Sequence, residues 1–170
     1  MTGMVDEDAK RLLILAHELA GAFVDALFAG NAFPAEKLDL ALRMGVQGQA
    51  QQFFVFVMLS LLLEKTRGAE AVNRSLAENL KGIFLGELLT ARRAAKTVLK
   101  ASDLDDPFAP YYDSFTRGAS DPALSPFGIF AKRLAERHFP PERRRAAHER
   151  LFTLSAAYAD RIAGILPGPR

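Results

Sequence analysis

Phe53-Phe54-Val55-Phe56-Val57-Met58-Leu59-Ser60-Leu61-Leu62-Leu63 is the longest apolar run in the chain, interrupted only by Ser60. Taken alone, its opening Phe-Phe-Val-Phe-Val reads as a buried strand, while a run apolar on every side and set between helical patterns reads as a buried helix. Helical periodicity lies both before and after it, and no second stretch offers a partner strand, so helix is the assignment. As a helix the run is about 16 Å long, roughly half the hydrocarbon thickness of a bilayer. Gln47, Gln49, Gln51 and Gln52 precede it and Glu64, Lys65 and Arg67 follow it, so neither flank extends it into lipid. No membrane span is expected, and the run is expected to be the most enclosed element of the protein.

Towards the N-terminus, Leu12, Ala16, Leu19, Phe23 and Leu27 recur at steps of three and four residues, with Glu18 and Asp25 opposite them. This predicts an amphipathic first helix from Asp8 to Phe28, with residues 1–7 frayed. Gly30 and Asn31 end it, and Pro34 presets the first turn of a second helix running to about Lys65. Gly45 and Gly48 lie inside that second helix, where a kink or short break is expected.

Beyond Gly68, Val72, Leu76, Leu80, Phe84, Leu88, Ala91, Ala95 and Val98 form one stripe, so a third long helix is expected as far as Ala101. The Gly82-x-x-x-Gly86 spacing within it predicts a helix crossing. Residues 102–125 are acidic and rich in Pro, with Asp103, Asp105, Asp106, Pro107, Pro110, Gly118, Asp121 and Pro122 close together, and read as a connector. Asp106 before Pro107 and Ser125 before Pro126 each place a capping oxygen ahead of a first-position proline, so two short helices are expected to start there. A final pair runs from Pro126 to His138 and from Pro141 to Leu166, the latter with Ala147, Leu151, Leu154, Tyr158, Ile162 and Ile165 as its stripe. The expected fold is therefore an all-α bundle of about five to six helices in one domain over residues 1–170: three long N-terminal helices, a connector and a C-terminal helical pair.

Composition narrows the chemistry. The chain has no Cys, which removes disulfides, thiolate nucleophiles and Cys-based metal sites together. Asp6, Glu7 and Asp8 replace the basic and apolar regions of a signal peptide, so a cytoplasmic location is the default expectation. The net charge is +2 overall, but residues 1–85 carry 8 basic against 10 acidic side chains and residues 86–170 carry 14 against 10, so the second half is the basic one.

Three histidines are present. His17 lies at the edge of the first helix's apolar face, yet the paired Glu-x-x-His spacing of a carboxylate-bridged metal bundle is missing. His138 falls at a helix C-terminus, where dipole stabilisation explains it, and His148 reads as structural. Asp103, Asp105 and Asp106 do not form a calcium loop, because Pro107 and Phe108 interrupt the alternating oxygen ligands that such a loop needs. There is no Gly-x-Ser-x-Gly, phosphate-binding Gly-rich loop or His-Glu-x-x-His. No catalytic residue, metal or cofactor is assigned.

Two basic clusters stand out: Arg92, Arg93, Lys96 and Lys100, and Arg143, Arg144, Arg145 and Arg150. Cations of the first set complement a helix C-terminus, whereas the run from Arg143 to Arg145 lies near a helix N-terminus, where positive charge is unfavourable. Arg143, Arg144, Arg145 and Arg150 are therefore the expected partner-binding set. Glu142 and Glu149 interleave them and no stacking aromatics accompany them, so nucleic-acid binding is not expected. Phe53, Phe54, Phe56 and Met58 offer the wall of an apolar ligand pocket or simply core, with Tyr111 and Tyr112 able to close the one or pack the other. The absence of catalytic constellations beside abundant apolar helices favours a non-enzymatic interaction module, binding a protein partner or itself as a homo-oligomer. A bundle that binds a small apolar ligand in a sensing or regulatory role is the alternative.

Overall fold

The computed structural model describes residues 2–64, 70–95, 105–117 and 121–166. Helix α1 spans Thr2–Leu27, α2 Pro34–Lys37, α3 Leu40–Glu64, α4 Glu70–Ala95, α5 Ala109–Arg117, α6 Pro126–His138 and α7 Arg144–Ile165, with 3-10 turns at Pro122–Leu124 and Pro141–Arg143. No strand occurs among the described residues, so the Phe-Phe-Val-Phe-Val string is helical and the protein is an all-α bundle.

Helix α3 is the centre. From Phe53 to Leu59 every side chain is buried, which only a helix enclosed on all sides can achieve. Helices α1, α4, α6 and α7 all pack on it. Helix α1 runs antiparallel beside it: the Arg43–Asp25 ion pair (2.9 Å) near one end and the His17–Gln51 contact (3.4 Å) nearer the other fix the direction. Among the described helices α3 alone is long and apolar enough to cross a bilayer by length and composition, and 56% of its most apolar window is buried inside the fold. The short-run argument against a span therefore gives way to a different fact: four helices cover this one.

Several boundaries differ from the sequence expectation. Helix α1 begins at Thr2 instead of after a frayed segment at 1–7, with Val5 packed against the core and Asp6 accepting a hydrogen bond from Asn79 (3.0 Å). The break in the second helix falls between Lys37 and Leu40, because the Asp39 carboxylate accepts the Leu42 N–H (3.0 Å) and caps a new helix. Gly45 and Gly48 lie in unbroken helix. Gly45 instead admits a neighbour, since a Cβ there would stand 2.7 Å from His138 Cε1. Gly82 and Gly86 face open space, so their spacing marks no crossing. On α4, Leu76, Leu80 and Phe84 are buried as expected while Val72, Ala91 and Ala95 are exposed; Val98 and the expected extension to Ala101 lie outside the described residues, as do Lys96, Lys100 and Asp103. The short helix expected from Pro107 is present as α5 but begins two residues later, at Ala109, after a turn in which Asp106 accepts the Phe108 N–H (2.9 Å).

The α6 start follows its sequence closely. Ser125 Oγ accepts the Gly128 N–H (3.2 Å) with Pro126 at the first position. Gly128 carries a constraint that its sequence does not announce, because the Pro122 and Ala123 carbonyl oxygens would both stand 2.5 Å from a Cβ at that position. Aromatic rings then lock α6 to the centre: Phe53 stacks on Phe130 with centroids 4.3 Å apart, and Phe54 stacks on Tyr158 of α7 at 5.6 Å.

Two glycine substitutions in similar helical settings are expected to act in opposite directions. Gly48→Ala, in open space, stabilises by up to ~1 kcal/mol through helix propensity. Gly128→Ala drives a methyl into backbone and destabilises by about 1–3 kcal/mol. Denaturant unfolding of the two variants checks the signs.

Candidate functional site

The four residues expected to line an apolar pocket lie in the core. Phe53, Phe54 and Met58 are 0% exposed and Phe56 is 1% exposed. Phe53 alone meets Phe56, Tyr111, Phe127 and Phe130 ring to ring. Of the four, Phe56 borders a hollow of about 250 Å³ shared with Val57, Leu61, Pro126 and Phe127. Tyr111 packs α5 onto this cluster, its ring 5.2 Å from Phe53 and 5.1 Å from Phe56. Tyr112 covers the edge, 5.4 Å from Phe56, with the Lys81 ammonium 5.8 Å from its own ring.

The arginine cluster divides into structural and open members. Arg150 Nε donates to Leu27 O (2.9 Å) and its Nη2 to Ala26 O (2.8 Å), so this cation closes the C-terminus of α1, where carbonyls lack helical partners and the dipole is negative. Arg144 Nε donates to Phe139 O (3.2 Å), tying the start of α7 to the end of α6. Those two contacts are the reason that positive charge is tolerated there. Arg145 pairs with Glu149 (3.2 Å), and Arg143 has no ion-pair partner among the described residues. Arg143 and Arg150 line an open depression with Asn31, Ala32 and Phe33 of the α1–α2 loop.

That loop leads into the least conventional part of the surface. Phe33 adopts φ 51, a left-handed conformation rare for a bulky residue, and is held there by its ring contacts with Phe139 (4.9 Å) and Phe28 (6.4 Å). Three residues on, Glu36 is buried at 8% exposure, and its Oε2 has no hydrogen-bond partner among the described residues. Leu38 is 86% exposed, Leu40 70% and Met44 65%. An acid inside and three large apolar side chains outside invert the usual arrangement. Leu40 and Met44 are one helical turn apart on α3, so they share a face. Nothing in the sequence patterning marked these three residues, because exposure is set by how the helices pack.

The histidines are dispersed. His17 is exposed on α1, and His148 lies against Phe152. His138 is half-buried against Gly45, and burial, followed by the charge of Arg137, lowers its pKa, with Asp39 opposing. No three His, Asp or Glu side chains converge as a metal site among the described residues.

Two measurements bear on these contacts. Arg150→Ala removes two charge-assisted bonds to the end of α1 and is expected to destabilise by about 1.5–3 kcal/mol, with Arg150→Lys recovering part of the loss. Tyr111 is raised to about 12, by burial against a smaller opposing pull from Arg133. Its folded value lies above the unfolded value of 10.0, so this residue's contribution to stability is full below pH 10 and declines as pH rises towards 12. Phenolate absorbance during alkaline titration is expected to show one tyrosine ionising late and together with unfolding.

Compared with known proteins, the chain matches no protein-family model, no curated protein and no solved structure.

Proposed function

We propose that this protein is a non-enzymatic helical interaction module that docks a protein partner through the corner between α2 and α3. The observation that carries the reading is the exposed ridge of Leu38, Leu40 and Met44 beside buried Glu36, whose Oε2 has no partner among the described residues. Exposed apolar side chains gathered at one corner are what helix-in-groove recognition uses, and they need no catalytic group. The α1–α2 loop joins this corner to the depression carrying Arg143 and Arg150, so an apolar segment bearing acidic residues is the complementary partner. Within this reading α3 stays in the interior, and Arg143 and Arg145 supply selection by charge while Arg144 and Arg150 hold the surface in shape. The alternative, an apolar small-molecule site, has weaker support, since the hollow beside Phe56 is about 250 Å³ and drug-sized sites run to about 300–1,000 Å³.

Native mass spectrometry of the protein taken from its own host tests the reading. The wild-type chain is expected to carry a second protein at fixed stoichiometry. Leu40→Glu with Met44→Glu is expected to lose it while unfolding within about 0.5 kcal/mol of wild type, because both side chains are already exposed. A homo-oligomer dissolved by the same pair would make the partner a second copy. A chain that is monomeric and alone, or one whose partner survives both substitutions, overturns the proposal.

A further inference from the structure

A second surface feature, independent of the apolar corner, lies between α3, the connector and α6. It is a cleft of about 570 Å³, a size at which small-molecule sites are common. Gln49 and Gln52 of α3 form one side, and Arg133 and Arg137 of α6 the other. Gln52 is already fixed by donating to Pro107 O (2.9 Å), which holds the connector against α3 and so keeps the cleft's edge in place.

The charges in the cleft are unevenly answered. Asp106 is met by Lys81 (3.2 Å) and by the Phe108 N–H (2.9 Å). Asp105 and Arg92, both on the rim, oppose each other in sign. On α6 itself, Lys132 pairs with Glu136 one turn later (3.9 Å), whereas Arg133 and Arg137, at the same spacing, have no ion-pair or hydrogen-bond partner among the described residues. Like charges one helical turn apart repel, so this pair is unfavourable to the isolated helix. Its two guanidiniums line one cleft and, with Asp106 offset by Lys81 from beside the cleft and Asp105 by Arg92, leave it a surplus of two positive charges. A guanidinium fork matches phosphate or carboxylate oxygens through paired hydrogen bonds. A phosphate monoester carries about −1.5 to −2 at neutral pH and so matches that surplus better than a single carboxylate does. Beneath them Tyr111 keeps its phenol protonated across the neutral range, so it brings no competing negative charge. The described lining of this cleft carries no row of exposed aromatics, which does not suit an extended nucleic-acid strand.

We propose that the cleft between α3 and α6 is a binding site for a small phosphorylated molecule, its phosphate held by Arg133 and Arg137. The walls of the cleft belong to α3 and α6, which pack on each other, so its outline does not depend on a ligand.

Titration of the full chain with inorganic phosphate and with AMP, followed through backbone and glutamine side-chain amide resonances at near-physiological salt, tests this. Saturable shifts confined to residues 49–52, 105–111 and 133–137 are expected, with AMP and phosphate competing for the site. Arg133→Ser with Arg137→Ser is expected to weaken binding by about tenfold or more, and Arg143→Ser with Arg145→Ser to leave it unchanged. Both arginines are exposed, and the melting temperature of the variant confirms that it is folded. Non-saturating shifts, shifts spread over residues 143–145, or equal affinity in the Arg133 and Arg137 variant would overturn the proposal. Acetate or citrate binding as tightly as phosphate would overturn the assignment to a phosphorylated ligand.

Discussion

A helix that is apolar all the way round has no face to give to water, and from Phe53 to Leu59 α3 is such a helix. Everything else in the fold answers that constraint. One neighbour covers only a strip of a helix, so several are needed: α1 and α4 on one flank, α6 and α7 on the other, with α5 laid over Phe53 and Phe56 by Tyr111. The large rings make this enclosure specific. Offset and edge-on aromatic pairs have preferred geometries, so Phe53 against Phe130 and Phe54 against Tyr158 settle where α6 and α7 sit as well as how much surface they bury.

The same enclosure dictates where polar groups are found. The glutamines before Phe53 are half-buried and reach out to neighbouring elements. Gln51 reaches His17 on α1, Gln52 holds the connector, and Gln49 lies 3.5 Å from His138. Their amides tie α3 to these neighbours without burying charge, which an apolar interior tolerates poorly. The hydrogen bonds of Arg150 solve a related problem where α1 stops and the hydrogen-bonding pattern of its carbonyls is incomplete.

The corner between α2 and α3 is where local and global preferences conflict. Phe33 is held in a left-handed conformation so that its ring can join Phe28 and Phe139, and the chain then turns Glu36 inward and Leu38 outward. Sequences that specify one structure mostly agree with it at every level, and departures concentrate where a protein binds or moves. The ridge of Leu38, Leu40 and Met44 belongs to that category, which is why the functional proposal rests there and not on the core phenylalanines.

The all-α class, the central place of the Phe53–Leu63 run, the capped start of α6 at Ser125 and the terminal helical pair were all legible in the sequence, because periodicity, capping oxygens and proline position are local signals. The apolar candidates Phe53, Phe54, Phe56 and Met58 were visible as residues, but whether they line a hollow or fill a core depends on the shapes of four other helices. Tertiary structure alone decided that Gly45 makes room for His138 and Gly128 for two carbonyls while Gly48, Gly82 and Gly86 face open space, since an absent side chain carries no information about what approaches it. It alone also assigned Arg144 and Arg150 to backbone carbonyls and left Arg133 and Arg137 open on a cleft. A charge in sequence states only its sign, and its partner is set by elements more than a hundred residues away, as with Arg150 and Ala26.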